Sequence, residues 1–174
     1  MEHPDHVDLL RRGIDGPGGT WADLGAGSGA FTLALADLTG PAGEIYAVDR
    51  DPVALEANAR AMQAKFPATR VHHLVADFTQ PLLLPPLDGI VMANSLHFQR
   101  EQRDLLRALR GYLRPGGRLL IVEYNLVRGN SAVPYPVPWD FWQALAKAAG
   151  FERTDLLARR PSRFLKEIYS AISQ

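Results

Sequence analysis

No cysteine occurs in the 174 residues. That absence excludes disulfides, thiolate metal sites and any mechanism with a cysteine nucleophile. An excess of charge of one sign is missing too, since 19 Lys and Arg balance 19 Asp and Glu. Without an overall basic field, nothing gathers nucleic-acid phosphates or an anionic membrane surface. Arg153, Arg159, Arg160 and Arg163 are a candidate local basic patch, for which a solvated face with snorkelling stems is the plainer reading. No apolar window reaches membrane-spanning length, and Met1-Glu2-His3-Pro4-Asp5 offers no basic segment followed by an apolar stretch. A cytoplasmic protein with neither membrane nor nucleic-acid partners is therefore expected. A metal is not expected either, because His72 and His73 are adjacent in a predicted strand and point to opposite faces.

What the chain does contain is a core-forming composition, with 47% apolar and 22% charged residues. This predicts one domain over residues 1–174. A short helix near Asp5 to Arg12 and the breaker Gly16-Pro17-Gly18-Gly19 make an N-terminal helix and linker over 1–19. Strands are then expected at Thr20 to Leu24, Glu44 to Val48, Val71 to Val75, Leu87 to Ala93 and Arg118 to Glu123. Between them lie helix-period segments: one carrying Phe31, Leu35 and Leu38, one opened by Asp51-Pro52 and running towards Phe66, and one from Glu101 to Leu113. Such alternation predicts βαβ units around a parallel sheet. Arg114-Pro115-Gly116-Gly117 reads as a turn before the fifth strand. Asn125 to Trp139, with Gly129, Pro134, Pro136 and Pro138, has no period and reads as a long substrate-side loop. A helix over Asp140 to Ala149, stopped by Gly150, precedes two strands, Glu152 to Leu157 and Lys166 to Ile172. With only Pro161 and its neighbours between them, these make an antiparallel hairpin.

The run Asp23-Leu-Gly-Ala-Gly-Ser-Gly29 sets an acid two positions before three alternating glycines, between a strand and a helix. Without β-carbons, Gly25, Gly27 and Gly29 allow a tight turn and a close approach of ligand to backbone. Two cofactors compete for it. The alanine-ended glycine pattern suits a dinucleotide, with Asp49 placed to hold a ribose hydroxyl. However, a pyrophosphate at the helix N-terminus finds an acid such as Asp23 unwelcome. S-adenosyl-L-methionine carries a sulfonium and an ammonium and no phosphate, so there the acid is useful. At the end of the third strand, Asp77 and the Phe78 amide suit the amino group and a ring nitrogen of adenine.

On these residues the chain resembles the class I S-adenosylmethionine-dependent methyltransferases, close to the small ubiquinone/menaquinone-biosynthesis-like group. The motifs are Asp23 to Gly29, Ala47-Val-Asp49, Ala76-Asp77-Phe78, Asp88 to Asn94 and Leu113 to Glu123, in family order over about Trp21 to Glu123. The resemblance implies a Rossmann-like three-layer α/β sandwich with a mostly parallel seven-stranded sheet closed by a C-terminal antiparallel hairpin. It implies that Gly25, Ala26, Gly27 and Gly29 pack against the methionine part with Asp23 nearby. Asp49 takes the ribose hydroxyls, Asp77 and Phe78 frame adenine, and the Asn94 carbonyl meets the ammonium. Arg50 departs from the apolar residue the family places against the adenine face. Simpler roles are a helix-capping acid for Asp49 and a turn residue for Asp77, and Arg114-Pro-Gly-Gly is structural.

Methyl transfer is an in-line displacement, so positioning supplies much of the acceleration. Where the acceptor must lose a proton, His97 is the candidate base, since Ser95-Leu96-His97-Phe98 follows the fourth strand at its ligand end. Tyr124, Tyr135 and Trp139 are candidates to line an acceptor pocket, against core packing or loop anchoring. The fourth strand ends in Asn-Ser-Leu-His, not the Asn/Asp-Pro-Pro-aromatic motif of base-amine methylation. Missing cysteine also argues against covalent C5 methylation of pyrimidines and thiolate-dependent arsenic methylation. A small-molecule acceptor is the expectation, with NAD-dependent oxidoreduction and a non-catalytic cofactor-binding module as alternatives. The residues define neither the acceptor nor an oligomeric state.

Overall fold

The structure, a computed structural model, describes residues 1–162 and 164–174. Arg163 of the candidate basic patch lies outside the described residues. The helices are α1 (His3–Arg11), α2 (Ala30–Thr39), α3 (Pro52–Lys65), α4 (Gln102–Arg110) and α5 (Trp139–Ala148). The strands are β1 (Thr20–Leu24), β2 (Glu44–Asp49), β3 (Arg70–Val75), β4 (Leu87–Ala93), β5 (Leu113–Tyr124), β6 (Thr154–Ser162) and β7 (Lys166–Ser173). They form one sheet in the order β3-β2-β1-β4-β5-β7-β6. The first five strands are mutually parallel, and β7 is antiparallel to both β5 and β6. The expected class holds: a three-layer α/β sandwich ending in a hairpin.

Strand alternation builds the layers, because successive side chains leave opposite faces of a sheet. Ala22, Leu24, Ile90, Met92, Leu119 and Ile121 pack with α4 and α5, against Leu106, Leu109, Trp142 and Leu145. The alternate residues Trp21, Val91, Leu120 and Val122 pack with α1, α2 and α3, against Leu9, Leu10, Phe31, Leu35 and Met62. On this second face a β-carbon on Gly89 would stand 2.2 Å from the Trp21 ring. An indole edge held in a close-packed core cannot yield, so Gly89→Ala is expected to destabilise the fold by about 1–3 kcal/mol. A urea unfolding midpoint at the native value would contradict that packing.

Two boundaries differ from the sequence reading by more than three residues. Leu87 pairs with Leu113 but Gly89 pairs with Arg118, so Arg114-Pro115-Gly116-Gly117 is a bulge inside a long β5 instead of a turn before it. Proline has no N–H for the ladder and Gly116 sits at φ +80°, which is the composition of a bulge as much as of a turn. Pro161 likewise lies within β6, opposite Glu167. An edge strand tolerates proline because one of its sides is unpaired, and β6 is such an edge. The described arginines of the basic patch are neutralised: Arg153 by Asp155, Arg159 by Glu167, and Arg160 by Asp5 and Asp8 of α1. Among the described residues no helix is long and apolar enough to cross a membrane.

The segment between β5 and α5 is a loop, as expected, and it is fastened at several points. Asn125 Oδ1 accepts from the Trp139 amide at 3.1 Å, and the Tyr169 hydroxyl donates to the Val137 carbonyl at 2.6 Å. Gln102 Nε2 donates to the Tyr135 carbonyl at 2.9 Å, and the Tyr135 amide donates to the His97 carbonyl at 3.0 Å. The loop is thus tied to the short 3-10 turn Leu96–Phe98 after β4, beside the carboxyl ends of the strands.

Candidate cofactor site at the strand ends

The chain leaves β1 through a loop stitched to β2, with the Gly25 and Ala26 amides donating to the Val48 carbonyl at 2.8 and 3.0 Å. Gly25 has φ +81°, and a β-carbon there would lie 2.5 Å from Ser95 Cβ. Gly29 has φ +99°, and its β-carbon would lie 2.9 Å from Asn58 Cγ. These two glycines are demanded by close approach as well as by backbone sign. No described residue lies within 4 Å of the position a Gly27 β-carbon would take, so that face of the loop is open.

Asp49 ends β2 and closes onto the loop. Its Oδ2 accepts from the Gly27 amide at 2.8 Å and its Oδ1 from the Asp51 amide at 2.9 Å. Asp51 is the cap of α3, accepting from Val53 and Ala54, so capping is not the role of Asp49. A carboxylate has about four lone-pair sites, and two amides leave capacity for further donors. Asp77 Oδ1 accepts from the Thr79 amide at 2.9 Å and the Thr79 hydroxyl at 2.7 Å. These two bonds, the backbone one foremost, hold its carboxyl below the ordinary value, with a smaller contribution from the Arg50 charge. Asp77 is therefore a turn residue whose second oxygen is uncommitted to any described residue.

Gly25, Asp49, Arg50, Asp77, Phe78 and Asn94 come together around one cleft of about 410 Å³. On the other side of the loop, Asp23, Ala26 and Gly27, with Gly25 and Asn94 again, line a recess of about 230 Å³ roofed by Met1 and His6 of the N-terminal segment. Gly29 lines neither, being pressed against Asn58. Asn94 adopts φ +52°, and its Oδ1 is buried without a hydrogen-bond partner among the described residues. Asp23 is buried and accepts from the Thr32 hydroxyl at 2.7 Å. Burial pushes its carboxyl up to about 7, against the lowering effect of the Thr32 bond and with a further push from the charge of Asp49.

His97 is 2% exposed and forms a buried pair with Glu123, at the end of β5. Its Nδ1 lies 2.6 Å from Glu123 Oε2, while Oε1 accepts from the His97 amide at 3.3 Å. A carboxylate on Nδ1 makes that nitrogen the protonated one and leaves Nε2 as the basic atom. The ring lies tilted against Phe98, with centroids 4.3 Å apart, and Phe98 lines the main cleft where His97 itself does not. Tyr124 lies 6.4 Å from His97 and 5.7 Å from Phe164. Of the other expected pocket aromatics, Tyr135 is partly exposed, whereas Trp139 packs edge-on to Tyr169 at 6.0 Å in the core.

Sequence reasoning missed Asn58, Thr32 and Glu123. Asn58 shared the buried stripe of α3 with Leu55 and Met62, so a polar residue at core spacing was its signal. Glu123 had a comparable one, a charged residue directly following the apolar run Leu119 to Val122.

A seven-stranded sheet of this order, with a glycine loop after β1 and acids ending β2 and following β3, defines a cofactor-binding α/β domain of the methyltransferase type. The chain belongs to the methyltransferase domain family, whose model matches residues 22–119. It is 31% identical over 111 residues to a ubiquinone/menaquinone biosynthesis C-methyltransferase, UbiE, of Ectopseudomonas mendocina, covering 63% of this chain and 43% of that protein. It is 35% identical over 143 residues to acetylserotonin O-methyltransferase of Mus musculus, covering 76% of this chain and 35% of that one. The chain thus spans less than half the length of these relatives. Among solved structures, a SAM-dependent methyltransferase from Aquifex aeolicus superposes with a TM-score of 0.75 at 20% identity, covering 97% of this chain and 88% of that one. YcgJ from Bacillus subtilis does so with 0.76 at 14% identity, covering 98% of both. Family and fold imply S-adenosyl-L-methionine as the cofactor.

The residues present fit that molecule. The unpartnered Asn94 Oδ1 and the buried Asp23 carboxyl offer two acceptors to a cationic group. The open face at Gly27 leaves room beside the loop, and Asp49 and Asp77 keep free acceptor capacity for hydroxyl and amino donors.

Proposed function

We propose that this protein transfers a methyl group from S-adenosyl-L-methionine to a small-molecule acceptor. The observation that carries the reading is the recess that Asp23 and Asn94 line together beside the glycine loop, with the buried Asn94 Oδ1 left without a partner among the described residues. A pyrophosphate would meet repulsion there, and an ammonium or sulfonium would meet acceptors. In this reading Asp23, Gly25, Ala26, Gly27 and Asn94 hold the methionine end, and Gly29 keeps the loop closed against Asn58. Asp49 takes the ribose hydroxyls, and Asp77, Phe78 and Arg50 surround adenine. The cofactor supplies an electrophilic methyl group on sulfur.

What the chain adds is acceptor positioning and, for an acceptor that must ionise, proton removal. His97 Nε2 is the base, Glu123 orients its ring, and the imidazolium is balanced by that carboxylate. Phe98, Tyr124 and Phe164 offer an aromatic wall near His97, which favours a flat acceptor bearing an ionisable proton. The two relatives above, named for quinone biosynthesis and for acetylserotonin, agree with a ring-bearing acceptor. A cytoplasmic setting, expected from the sequence, belongs to the same reading.

The test is a thermal-shift comparison with S-adenosylmethionine, S-adenosylhomocysteine and NAD. A ligand preferring the folded state at 100 times its Kd adds about 2.7 kcal/mol. For a domain of this size that corresponds to a melting shift of roughly 5–10 °C. The two adenosyl ligands are expected to give it and NAD to give none, and a shift with NAD alone would reverse the assignment.

A further inference from the structure

Behind the glycine loop, a line of four side chains runs inward from β3 through α3 and α2 to β1. His73 Nε2 lies 3.1 Å from Asn58 Oδ1, Asn58 Nδ2 lies 2.9 Å from Thr32 Oγ1, and Thr32 Oγ1 lies 2.7 Å from Asp23 Oδ2. Chemistry dictates the sense of this chain. Asn58 Nδ2 also reaches the Gly27 carbonyl at 3.5 Å, and a carbonyl only accepts. The amide nitrogen therefore faces Thr32 and Gly27, and the amide oxygen faces His73. His73, Asn58 and Thr32 each donate in turn, all towards Asp23. Bonds aligned in one sense polarise one another and favour the carboxylate over the acid. Asn58 and Thr32 are fully buried, so water does not replace either donor.

We propose that Asn58 is a positioning residue of the cofactor site, holding Asp23 as a proton-linked counter-ion whose proton leaves when the ammonium group of the cofactor's amino-acid end enters beside it. This rests on the reading that the recess beside Asp23 receives that end. Asp23 faces the recess with Asn94, whose Oδ1 has no partner. Burial and the Asp49 charge push its carboxyl towards the acid form, the Thr32 bond opposes them, and the balance falls at about 7. A cation placed beside it tips the balance to the carboxylate, and the proton passes to the solvent. Other titratable groups also face Asp23. From α1 comes His6, held below its ordinary value first by burial, and ahead of α1 comes Met1. From the end of β2 comes Asp49, while α2, α3 and the β4 end offer the neutral Thr32, Asn58 and Asn94. His73 on β3 is held low by burial and by His72, which keeps it a neutral donor.

Calorimetry of the full chain with S-adenosylhomocysteine, in buffers of differing ionisation enthalpy, reads protons released per ligand bound. Release of close to one proton at pH 6 and little at pH 8 is expected, with affinity rising up to about tenfold per pH unit below 7 and level above. 5′-Methylthioadenosine, which lacks the amino-acid end, should bind without this release. In Asn58→Leu, and independently in the near-isosteric Thr32→Val, the release should persist to pH 8 because Asp23 has lost support for its charge. Folded variants that bind more weakly by the same factor at every pH, with native proton release, would assign Asn58 a merely structural role and overturn the proposal. So would pH-independent binding by the native chain. If neither adenosyl ligand binds the native chain at any pH, the cofactor reading itself fails and takes this inference with it.

Discussion

Asp49→Ala is expected to weaken S-adenosylmethionine binding by about 1.5–3 kcal/mol, the scale of hydrogen bonds to a charged group, or one to two decades in Kd. The carboxylate sits at the end of β2 where it spans the cleft, taking the Gly27 amide on one oxygen and the Asp51 amide on the other. Removing it unties Gly27, the part of the loop with open space before it, and takes away the acceptor proposed for the ribose. Asp49→Asn keeps one acceptor for Gly27 while losing the charge, so it should forfeit only part of the affinity. Calorimetric titration of the two variants separates these contributions, and unchanged affinity in Asp49→Ala would remove the residue from the cofactor site.

The second large effect is expected at Glu123. Its carboxylate is fully buried and satisfies both His97 Nδ1 and the His97 amide, so Glu123→Ala leaves two donors stranded in the core beside a new cavity. Breaking a buried pair from one side costs about 3–5 kcal/mol. For a domain of this size, that lowers Tm by on the order of 10 °C. Chemical denaturation and calorimetry read the loss directly; a Tm within a degree or two of native would mean that His97 finds another partner. The proposed catalytic role separates from the structural one through His97→Asn. Loss of a general base costs about 10²–10⁴ in kcat, with cofactor affinity retained. A His97→Asn protein with native kcat would leave the pair a structural clasp between the turn after β4 and β5.

Periodicity and punctuation carried most of the fold. The alternation in β1, β4 and β5 and the caps at Asp51 and Gly150 are local features, visible in consecutive residues. Where a stretch had two local solutions the outcome was non-local. Arg114-Pro-Gly-Gly suits a turn or a bulge, and it became a bulge because Leu113 continued pairing with Leu87. Pro161 looked like a break, and the edge position of β6 let the strand run through it.

By itself, the sequence determined the glycine loop and the acids around it. Glycine spacing, an acid before the loop and acids at or just after strand ends are properties of segments, and the order of segments orders the strand ends. The tertiary structure decided how those acids are held. Asn58 lies 29 positions from Gly29, yet packs against it and hands a hydrogen bond through Thr32 to Asp23. Glu123 lies 26 positions from His97 and closes on it only because β5 pairs with β4. Burial and donor alignment come from packing between elements, and they determine which way the Asp23 carboxyl is pushed and which nitrogen of His97 is held against Glu123.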